Sequence, residues 1–252
     1  MPIKPRHLTI SKAIELRRKN PTKNRRTVNE VLKETRKKRY ESWNYCDGGA
    51  HRYREIYKEN LNNRPLNFLL EKLKIKDPQL MVLGPGHGYD NALFKKELHE
   101  FRVNIHIDTL GFSKTINQKL LEDKVIRKDY SPRISKAISF EHINPIEHPR
   151  LVKSILGKYH LVMGERSVGV YGASHAYALF QSSLLLAKRG RAYIDLQFNS
   201  PLKEILDVTR RMINSYNKTN NTNLKFLIKE IKETSGTNSK GNYTYIQIDR
   251  IE

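Results

Sequence analysis

The sequence predicts an α/β fold in which a mostly parallel, doubly wound sheet ends in an antiparallel hairpin and follows a basic helical N-terminal extension. From about residue 65, short apolar runs alternate with segments of helical spacing, a pattern typical of a parallel sheet covered by helices. Two strand-like runs joined by a polar loop close the chain and predict the hairpin. The extension is indicated by the density of Lys and Arg in the first 60 residues.

The composition limits the class of protein. A chain of 252 residues has room for one α/β domain with an appendage or for two small domains. Its 38% hydrophobic residues are enough to build a core, which excludes a wholly disordered chain. The net charge of +21 favours a polyanionic partner, so RNA or DNA is the first candidate. Cys46 is the single cysteine, which excludes an intrachain disulfide framework and a cysteine-based zinc cluster. We name no metal-binding residues.

The location of the protein is indicated by what the sequence lacks. No run of eighteen apolar residues occurs, so we expect no membrane-spanning segment. The first residues lack the apolar core of a secretory signal, and we therefore expect a cytoplasmic protein. Their Arg-rich, acid-poor character leaves an organellar presequence open as an alternative.

The N-terminal extension is assigned to residues 1–62, and the main domain to residues 63–252. Two short helices are predicted in the extension, one over residues 10–16 and one that begins with a capping box at Thr27. Basic clusters on such a segment are most simply a solvated face, whereas binding to nucleic-acid phosphates is the more specific interpretation. We favour the second interpretation for Arg17, Arg18, Lys19, Arg25, Arg26, Arg36, Lys37, Lys38 and Arg39.

The first half of the main domain shows alternating strand and helix signals. Residues 79–83 form a short apolar run that predicts a buried strand. Residues 90–101 have helical spacing, residues 103–108 predict a second strand that ends on a carboxylate, and residues 113–121 predict another helix.

The second half continues the alternation. Residues 159–163 predict a strand, residues 173–188 a helix closed by Gly190, and residues 192–196 a further strand. A helix begins after Pro201, and the hairpin pairs residues 224–231 with residues 243–248.

A glycine-rich turn, Gly84-Pro85-Gly86-His87-Gly88, lies between the first strand and the following helix. Open α/β sheets bind nucleotide-like ligands at this position, and Asp108, after the next strand, can accept the hydroxyl protons of a ribose. A dinucleotide requires G-x-G-x-x-G, which the G-x-G-x-G spacing here matches poorly. S-adenosylmethionine, which has a ribose and no phosphate, is the alternative. A tight turn without a ligand is a further interpretation, which Asp108 and the closing hairpin disfavour.

The segment from Val82 to Gly88, with Asp108 after the next strand, resembles the first two motifs of class I S-adenosylmethionine-dependent methyltransferases. The resemblance extends over roughly residues 79 to 250. Residues 159–163 look like the fourth strand of that family, residues 185–194 like its fifth strand and the preceding turn, and the closing hairpin like its antiparallel pair. It implies a seven-stranded sheet and S-adenosyl-L-methionine as the cofactor.

The resemblance also implies site residues. It places Gly84, Pro85, Gly86 and Gly88 under the cofactor, Asp108 at the ribose with Thr109 beside it, and Asp129 at the adenine amine. Residues 138–140 are an alternative third strand. The sequence departs from the family at Val82, where an acid is usual, and Asp90 or Asp47 are the candidates to compensate.

The catalytic rim is predicted after the fourth strand. Glu165 follows directly on that strand, and His175 lies at the start of the next helix. A histidine can act as a general base near neutral pH, whereas a histidine at a helix start is more often a capping or packing residue.

These observations lead to three functional hypotheses. The first is a methyltransferase that acts on RNA, either rRNA or tRNA. The second is a non-catalytic RNA- or ribosome-binding protein on a degenerate methyltransferase fold, which Val82 favours. The third is a protein or small-molecule methyltransferase.

Overall fold

The structure is a computed structural model that describes residues 53–84, 88–110, 118–130, 149–164, 175–197, 201–231 and 243–252. The two helices predicted before residue 53 lie outside the described residues. The same is true of all nine cations that we predicted to bind nucleic acid, so their role stays a prediction.

One sheet organises the domain, in the strand order β3-β2-β1-β4-β5-β7-β6. Its first five strands pair in parallel, and β7 runs antiparallel to both β5 and β6. The predicted mixed sheet with an antiparallel closing pair is therefore confirmed, although β3 has two residues only and the other six strands have five or more. The strands are β1 Gln79–Leu83, β2 His106–Leu110, β3 Lys128–Asp129, β4 Tyr159–Gly164, β5 Leu186–Gln197, β6 Phe226–Ile231 and β7 Tyr243–Arg250.

Helices cover both faces of this sheet. The two π-type helices are α1 and α3, and the remaining six are α-helices. In chain order they are α1 Arg54–Asn60, α2 Arg64–Asn67, α3 Phe68–Leu73, α4 Tyr89–Glu100, α5 Gln118–Glu122, α6 Pro149–Ile155, α7 His175–Leu185 and α8 Leu202–Asn220.

The side chains of the central strands alternate between two buried clusters, because successive residues of a strand point to opposite faces. Met81 and Leu83 face α6, α7 and α8 in one cluster, which we call the first face. Leu80 and Val82 face α1 to α5 in the other, which we call the second face. The sheet is thus doubly wound, as predicted.

The chain just before the predicted domain boundary takes part in this core. Ile56, Tyr57 and Leu61 are buried on the second face. The Tyr57 ring lies 4.6 Å from the ring of Phe94 in α4, measured between centroids. Helix α1 therefore packs against the main domain, while the division of the chain at residue 62 stays a prediction.

The predicted bounds of the second strand are wrong. Arg102 adopts a left-handed conformation (φ 62°), and the Val103 N–H bonds the Leu98 carbonyl, so the chain is still turning out of α4 at this point. The strand consequently begins at His106 and continues to Leu110. Asp108 lies in the middle of β2 rather than at its end.

The predicted end of the helix before β5 is also wrong. Helix α7 stops at Leu185, and Gly190 belongs to β5 rather than to a helix cap. A bulge over residues 187–190 separates two stretches of pairing with β4. A Cβ on Gly190 would lie 2.8 Å from the carbonyl oxygens of Ala187 and Tyr159, so this position requires glycine.

The turns that enter the strands share an unusual backbone feature. We call the end of the sheet where β1 to β5 begin the amino edge, and the opposite end the carboxyl edge. Four basic residues of the amino edge hold a left-handed conformation, at a cost of about 1–2 kcal/mol each. Three of them lie at turns that leave a helix, where a cation at the helix C-terminus recovers about 0.3–1 kcal/mol, and Arg189 lies in the bulge of β5. The four are Lys74 (φ 52°), Arg102 (φ 62°), Lys124 (φ 58°) and Arg189 (φ 64°).

Glycine at these turns is expected to preserve stability. For Lys74→Gly and Arg102→Gly, relief of the left-handed backbone offsets the lost helix–charge interaction, so the free energy of unfolding should equal or exceed that of the parent by up to about 1 kcal/mol. Urea denaturation measures it. The control is Arg211→Gly inside α8, which should lose about 1 kcal/mol. Equal losses in all three variants would contradict the prediction.

Candidate active site

The strand order of the sheet reverses between β1 and β4. From β1 the sheet continues to β2 and β3, and from β4 it continues to β5, so the connections on the two sides diverge at the carboxyl edge. Leu83 and Gly164 form the last pair of the two central strands. Ligands of open α/β sheets bind in the crevice at such a switch point.

The glycine turn begins at this crevice. Gly84 follows β1 with φ 70°, and its N–H bonds the Leu110 carbonyl at 2.9 Å, which ties the turn to β2. Gly88 is the residue before α4 and has φ 81°. Both are left-handed conformations that glycine adopts without a steric cost. Pro85 and Gly86 lie outside the described residues.

Buried polar side chains surround the start of α4. Asp90 is 2% exposed and Asn91 is fully buried. The Tyr57 hydroxyl donates to Asn91 Oδ1 at 3.3 Å. Asn91 Nδ2 has no acceptor among the described residues. A buried amide donor of this kind is a group that a polar ligand can satisfy.

Two further buried polar side chains, Asp195 and Tyr245, lie at the carboxyl end of β5 and opposite it on β7. Asp195 is fully buried and pairs in register with Tyr245 of β7. The Tyr245 hydroxyl accepts a hydrogen bond from Asn60 Nδ2 at 3.5 Å. Helix α1 thus contributes Tyr57 and Asn60 to this part of the structure. Sequence reasoning missed these residues, because no motif marks them and only the packing of α1 brings them here.

Asp108 forms the centre of a charged cluster on the first face. Its side chain is fully buried, and Arg127 bonds both carboxylate oxygens at 3.1 and 2.9 Å. The Tyr159 hydroxyl donates to Asp108 Oδ2 at 2.9 Å, and Lys158 Nζ lies 3.2 Å from the same oxygen. The sequence offers Asp108 as a motif acid and gives no sign of these partners, which come from β4 and from the turn before β3.

These partners control the ionisation of the cluster. Burial alone raises the pKa of Asp108, but the hydrogen bonds from Arg127 and Tyr159 and the charges of Arg127 and Lys158 outweigh it and lower the pKa below its usual value. Burial, followed by the Asp108 charge, raises the pKa of Tyr159 well above its ordinary value. Asp108 is therefore ionised and Tyr159 neutral at physiological pH.

The other predicted cofactor residues occupy β2 and β3. Thr109 is fully buried, and its hydroxyl donates to the Lys128 carbonyl at 3.2 Å. Asp129 pairs with Thr109 in register, which places the third strand at Lys128–Asp129. Ribose binding by Asp108 stays a prediction, and the carboxylate is fully buried among Arg127, Lys158 and Tyr159. Adenine binding by Asp129 likewise stays a prediction.

The predicted catalytic residues lie beyond β4. Glu165 falls immediately after Gly164 and outside the described residues. His175 is the first residue of α7 and is 7% exposed. Over the described ranges, no group of three or more His, Cys, Asp or Glu side chains is arranged to hold a metal ion. Of the described helices, none is long and apolar enough to cross a membrane.

Comparison with known proteins finds no matching family model and no matching curated protein. Solved structures similar to the chain include a protein from Clostridium thermocellum provisionally designated an rRNA methylase (14% identity, 77% of this chain and 97% of that one, TM-score 0.45). Others are the CurJ carbon methyltransferase (12%, 96% and 71%, 0.49) and a Burkholderia thailandensis 1,6-didemethyltoxoflavin-N1-methyltransferase with bound S-adenosylhomocysteine (9%, 83% and 86%, 0.43).

Asp108→Asn is expected to destabilise the fold, because it leaves the two cations facing a neutral amide. Their partial exposure limits the loss to about 2–3 kcal/mol. Because the folded-state pKa of Asp108 is lowered, its contribution is present above the unfolded pKa of about 3.9 and is lost as pH falls below it.

Thermal unfolding of parent and variant at neutral and acidic pH measures this difference. It should be largest at neutral pH and shrink below about pH 4. Asp207→Asn, which removes an exposed ion pair with Arg210, is the control and should change stability by less than about 0.5 kcal/mol. Equal stability of the parent and Asp108→Asn would show that the cluster contributes nothing.

Proposed function

We propose that this chain is an S-adenosylmethionine-dependent methyltransferase that acts on RNA, either rRNA or tRNA. One observation carries the proposal. A turn that begins at Gly84 and ends at Gly88, both left-handed, lies at the switch point of a sheet that closes with an antiparallel pair.

The cofactor assignment is supported by the local chemistry of the turn. The G-x-G-x-G spacing does not suit a pyrophosphate, whereas a ribose and a methionine moiety need close backbone approach and polar partners. Gly84 and Gly88 allow that approach, and Asn91 offers a buried amide donor beside the turn. The residues present therefore fit S-adenosyl-L-methionine.

RNA as the substrate is supported by charge. The net charge of +21 attracts polyanions. Many exposed cations lie on the described part of the domain itself, so the charge is not confined to the extension. The substrate assignment rests on this argument and on none of the solved structures.

The chemistry assigned to the chain is alignment and proton transfer. The bound cofactor supplies an electrophilic methyl group on a sulfonium. A nucleophilic oxygen or nitrogen of RNA forms the new bond to that carbon as the bond to sulfur breaks, and the protein holds the two in line. The nucleophile then loses its proton to a base, and His175 and Glu165 are the residues that we propose for this rim.

A second candidate is an RNA-binding protein without transferase activity. Val82 favours it, because this position holds an acid in the family that the chain resembles and is fully buried in the apolar cluster of the second face here. It predicts RNA binding without methyl transfer. An assay that measures both methyl transfer and RNA binding separates the two candidates.

Transfer of a labelled methyl group from S-adenosylmethionine tests the proposal, with total RNA and total protein as acceptors. We expect label in RNA. Gly84→Ala should weaken cofactor binding about tenfold or more, because a Cβ is added at a left-handed residue of the cofactor turn. Gly157→Ala is the matched control: it is also left-handed (φ 64°) but lies at the amino edge, and its Cβ meets nothing closer than 3.5 Å.

The outcomes of this assay are distinct. Equal cofactor affinity of the two glycine variants, measured by calorimetry, would remove the cofactor site from this turn. Label in protein alone would assign the third class of substrate. RNA binding without any cofactor binding would establish the non-catalytic candidate.

His175→Gln tests the base. If His175 accepts the proton, kcat should fall about 100-fold or more while the Kd of the cofactor stays unchanged. A packing role instead predicts a lower melting temperature with kcat per folded molecule preserved. The kcat of the parent should also fall at acidic pH, and this fall should be absent from the variant.

A further inference from the structure

We propose that the amino edge of the sheet is a second RNA-binding surface, which holds the phosphodiester backbone of an RNA strand at the end of the domain opposite the candidate active site. This inference goes beyond the proposed function. RNA binding there can be measured without cofactor and without methyl transfer.

The amino edge is basic along its whole width. Each of the seven strands contributes at least one Lys or Arg at or next to this edge, ten in all. In or directly beside the same segments there are six acids, Asp77, Glu100, Glu122, Asp123, Asp249 and Glu252, and Asp249 is paired with Arg191. The ten cations, in strand order from β3 to β6, are Lys124 and Arg127, Arg102, Lys74 and Lys76, Lys158, Lys188 and Arg189, Arg250, and Lys225.

Most of this charge is available to a ligand. Lys158 and Arg127 share the buried carboxylate of Asp108, and Lys225 pairs with Glu252 at 2.7 Å. Six other cations of the edge are exposed and form no ion pair within the described residues. These six are Lys74, Lys76, Arg102, Lys124, Lys188 and Arg189.

The arrangement of the cations is a row. Neighbouring strands lie about 4.8 Å apart, so seven strands set the charges along a line of roughly 29 Å. A nucleic-acid backbone presents several phosphates over such a length, and each contact with a cation releases a condensed counterion. A continuous line of one sign therefore matches a strand of RNA.

Several cations of this edge occupy backbone positions that disfavour their side chains. Glycine and asparagine are the usual residues at left-handed turns, and they occupy two turns of the amino edge, at Gly157 and Asn221. Among the described residues of this edge, Lys and Arg hold the other four left-handed positions, three of them at turns and one, Arg189, in the bulge of β5. Most of the left-handed positions of this edge therefore carry a Lys or Arg, although the left-handed conformation disfavours such side chains.

Exposed apolar side chains next to the row favour RNA over an acidic protein segment. Phe101, beside Arg102, is 54% exposed, and Ile251, beside Arg250, is 53% exposed. An exposed aromatic ring within a basic surface is a stacking platform for an unpaired base. Cations and apolar groups together also suit an anionic membrane surface, which the test includes.

The position of the row constrains the RNA. Strand β1 has five residues, so the two edges lie roughly 17 Å apart. An RNA that reaches both the row and the glycine turn must pass around the domain. This geometry favours a large or folded RNA over a short linear one.

The test uses the full chain, a fluorescein-labelled single-stranded RNA and no cofactor, with anisotropy measured over a range of salt concentrations. The variant Lys74→Gly/Arg102→Gly/Lys124→Gly removes three charges of the row at positions where glycine suits the backbone. The matched control removes three exposed charges from α8 and β6 and is Lys203→Gln/Arg211→Gln/Lys229→Gln. Thermal melting checks that both variants fold.

We expect the row variant to bind RNA about 100-fold more weakly than the parent at about 0.1 M salt, with the slope of log K against log salt smaller by about 2. The control should stay within about threefold of the parent. Equal affinities of the row variant and the control would overturn the inference. The inference would also be overturned if the row variant kept its RNA affinity and lost binding to phosphatidylserine vesicles. That result would assign the row to a membrane surface.

Failure of this inference is separable from failure of the proposed function. A parent protein that binds RNA through the row and transfers no methyl group would overturn the function and leave the row. If the parent transfers methyl groups to RNA and the row variant binds RNA as tightly as the control, the inference about the row is overturned and the proposed function stands.

Discussion

The two-sided burial of β1 and β4 is the constraint on which the rest of the structure depends. Residues 80–83 and 161–163 have no exposed surface, so both faces of these strands must be covered. Helices α1 to α5 cover one face and α6 to α8 cover the other. The remaining strands are therefore added on both sides of the β1–β4 pair. That divergence opens the crevice at the carboxyl edge, and the turn beginning at Gly84 lies in it because it follows β1 directly.

The interior of the first face accommodates a charge because two stretches of chain, at Arg127 and at Lys158-Tyr159, supply donors to it. The carboxylate of Asp108 would be costly to bury alone, yet it receives hydrogen bonds from Arg127 and Tyr159 and faces Lys158. The cluster thereby joins β2, the turn before β3, and β4. The residue for which the motif predicts a cofactor contact is, in this fold, a structural crosslink whose carboxylate oxygens already accept hydrogen bonds from the protein.

The two edges of the sheet have different chemistry, and the division suits an enzyme with a large substrate. At the carboxyl edge lie left-handed glycines and buried polar groups that include Asn91 and Asp195. At the amino edge, cations lie at or next to the ends of all seven strands, and those of β4 and β7 are only partly exposed. If RNA binds at the amino edge as proposed, its affinity does not depend on the residues that align the reacting groups, because the two edges are separated by the length of a strand.

The sequence by itself determined the elements whose signal is local. The apolar run of β1, the stripe of α8 and the closing pair β6–β7 follow from periodicity and turn residues, and Gly84 marks the crevice because a strand, a glycine and a helix succeed one another. Only the tertiary structure decided register and neighbours: the left-handed turn at Arg102 shifted β2 and moved Asp108 to its middle. Packing of α1 brought Asn60 to Tyr245, 185 residues away. The basic row exists only once strand order is known, because its cations come from seven separate stretches of chain that no sequence pattern connects.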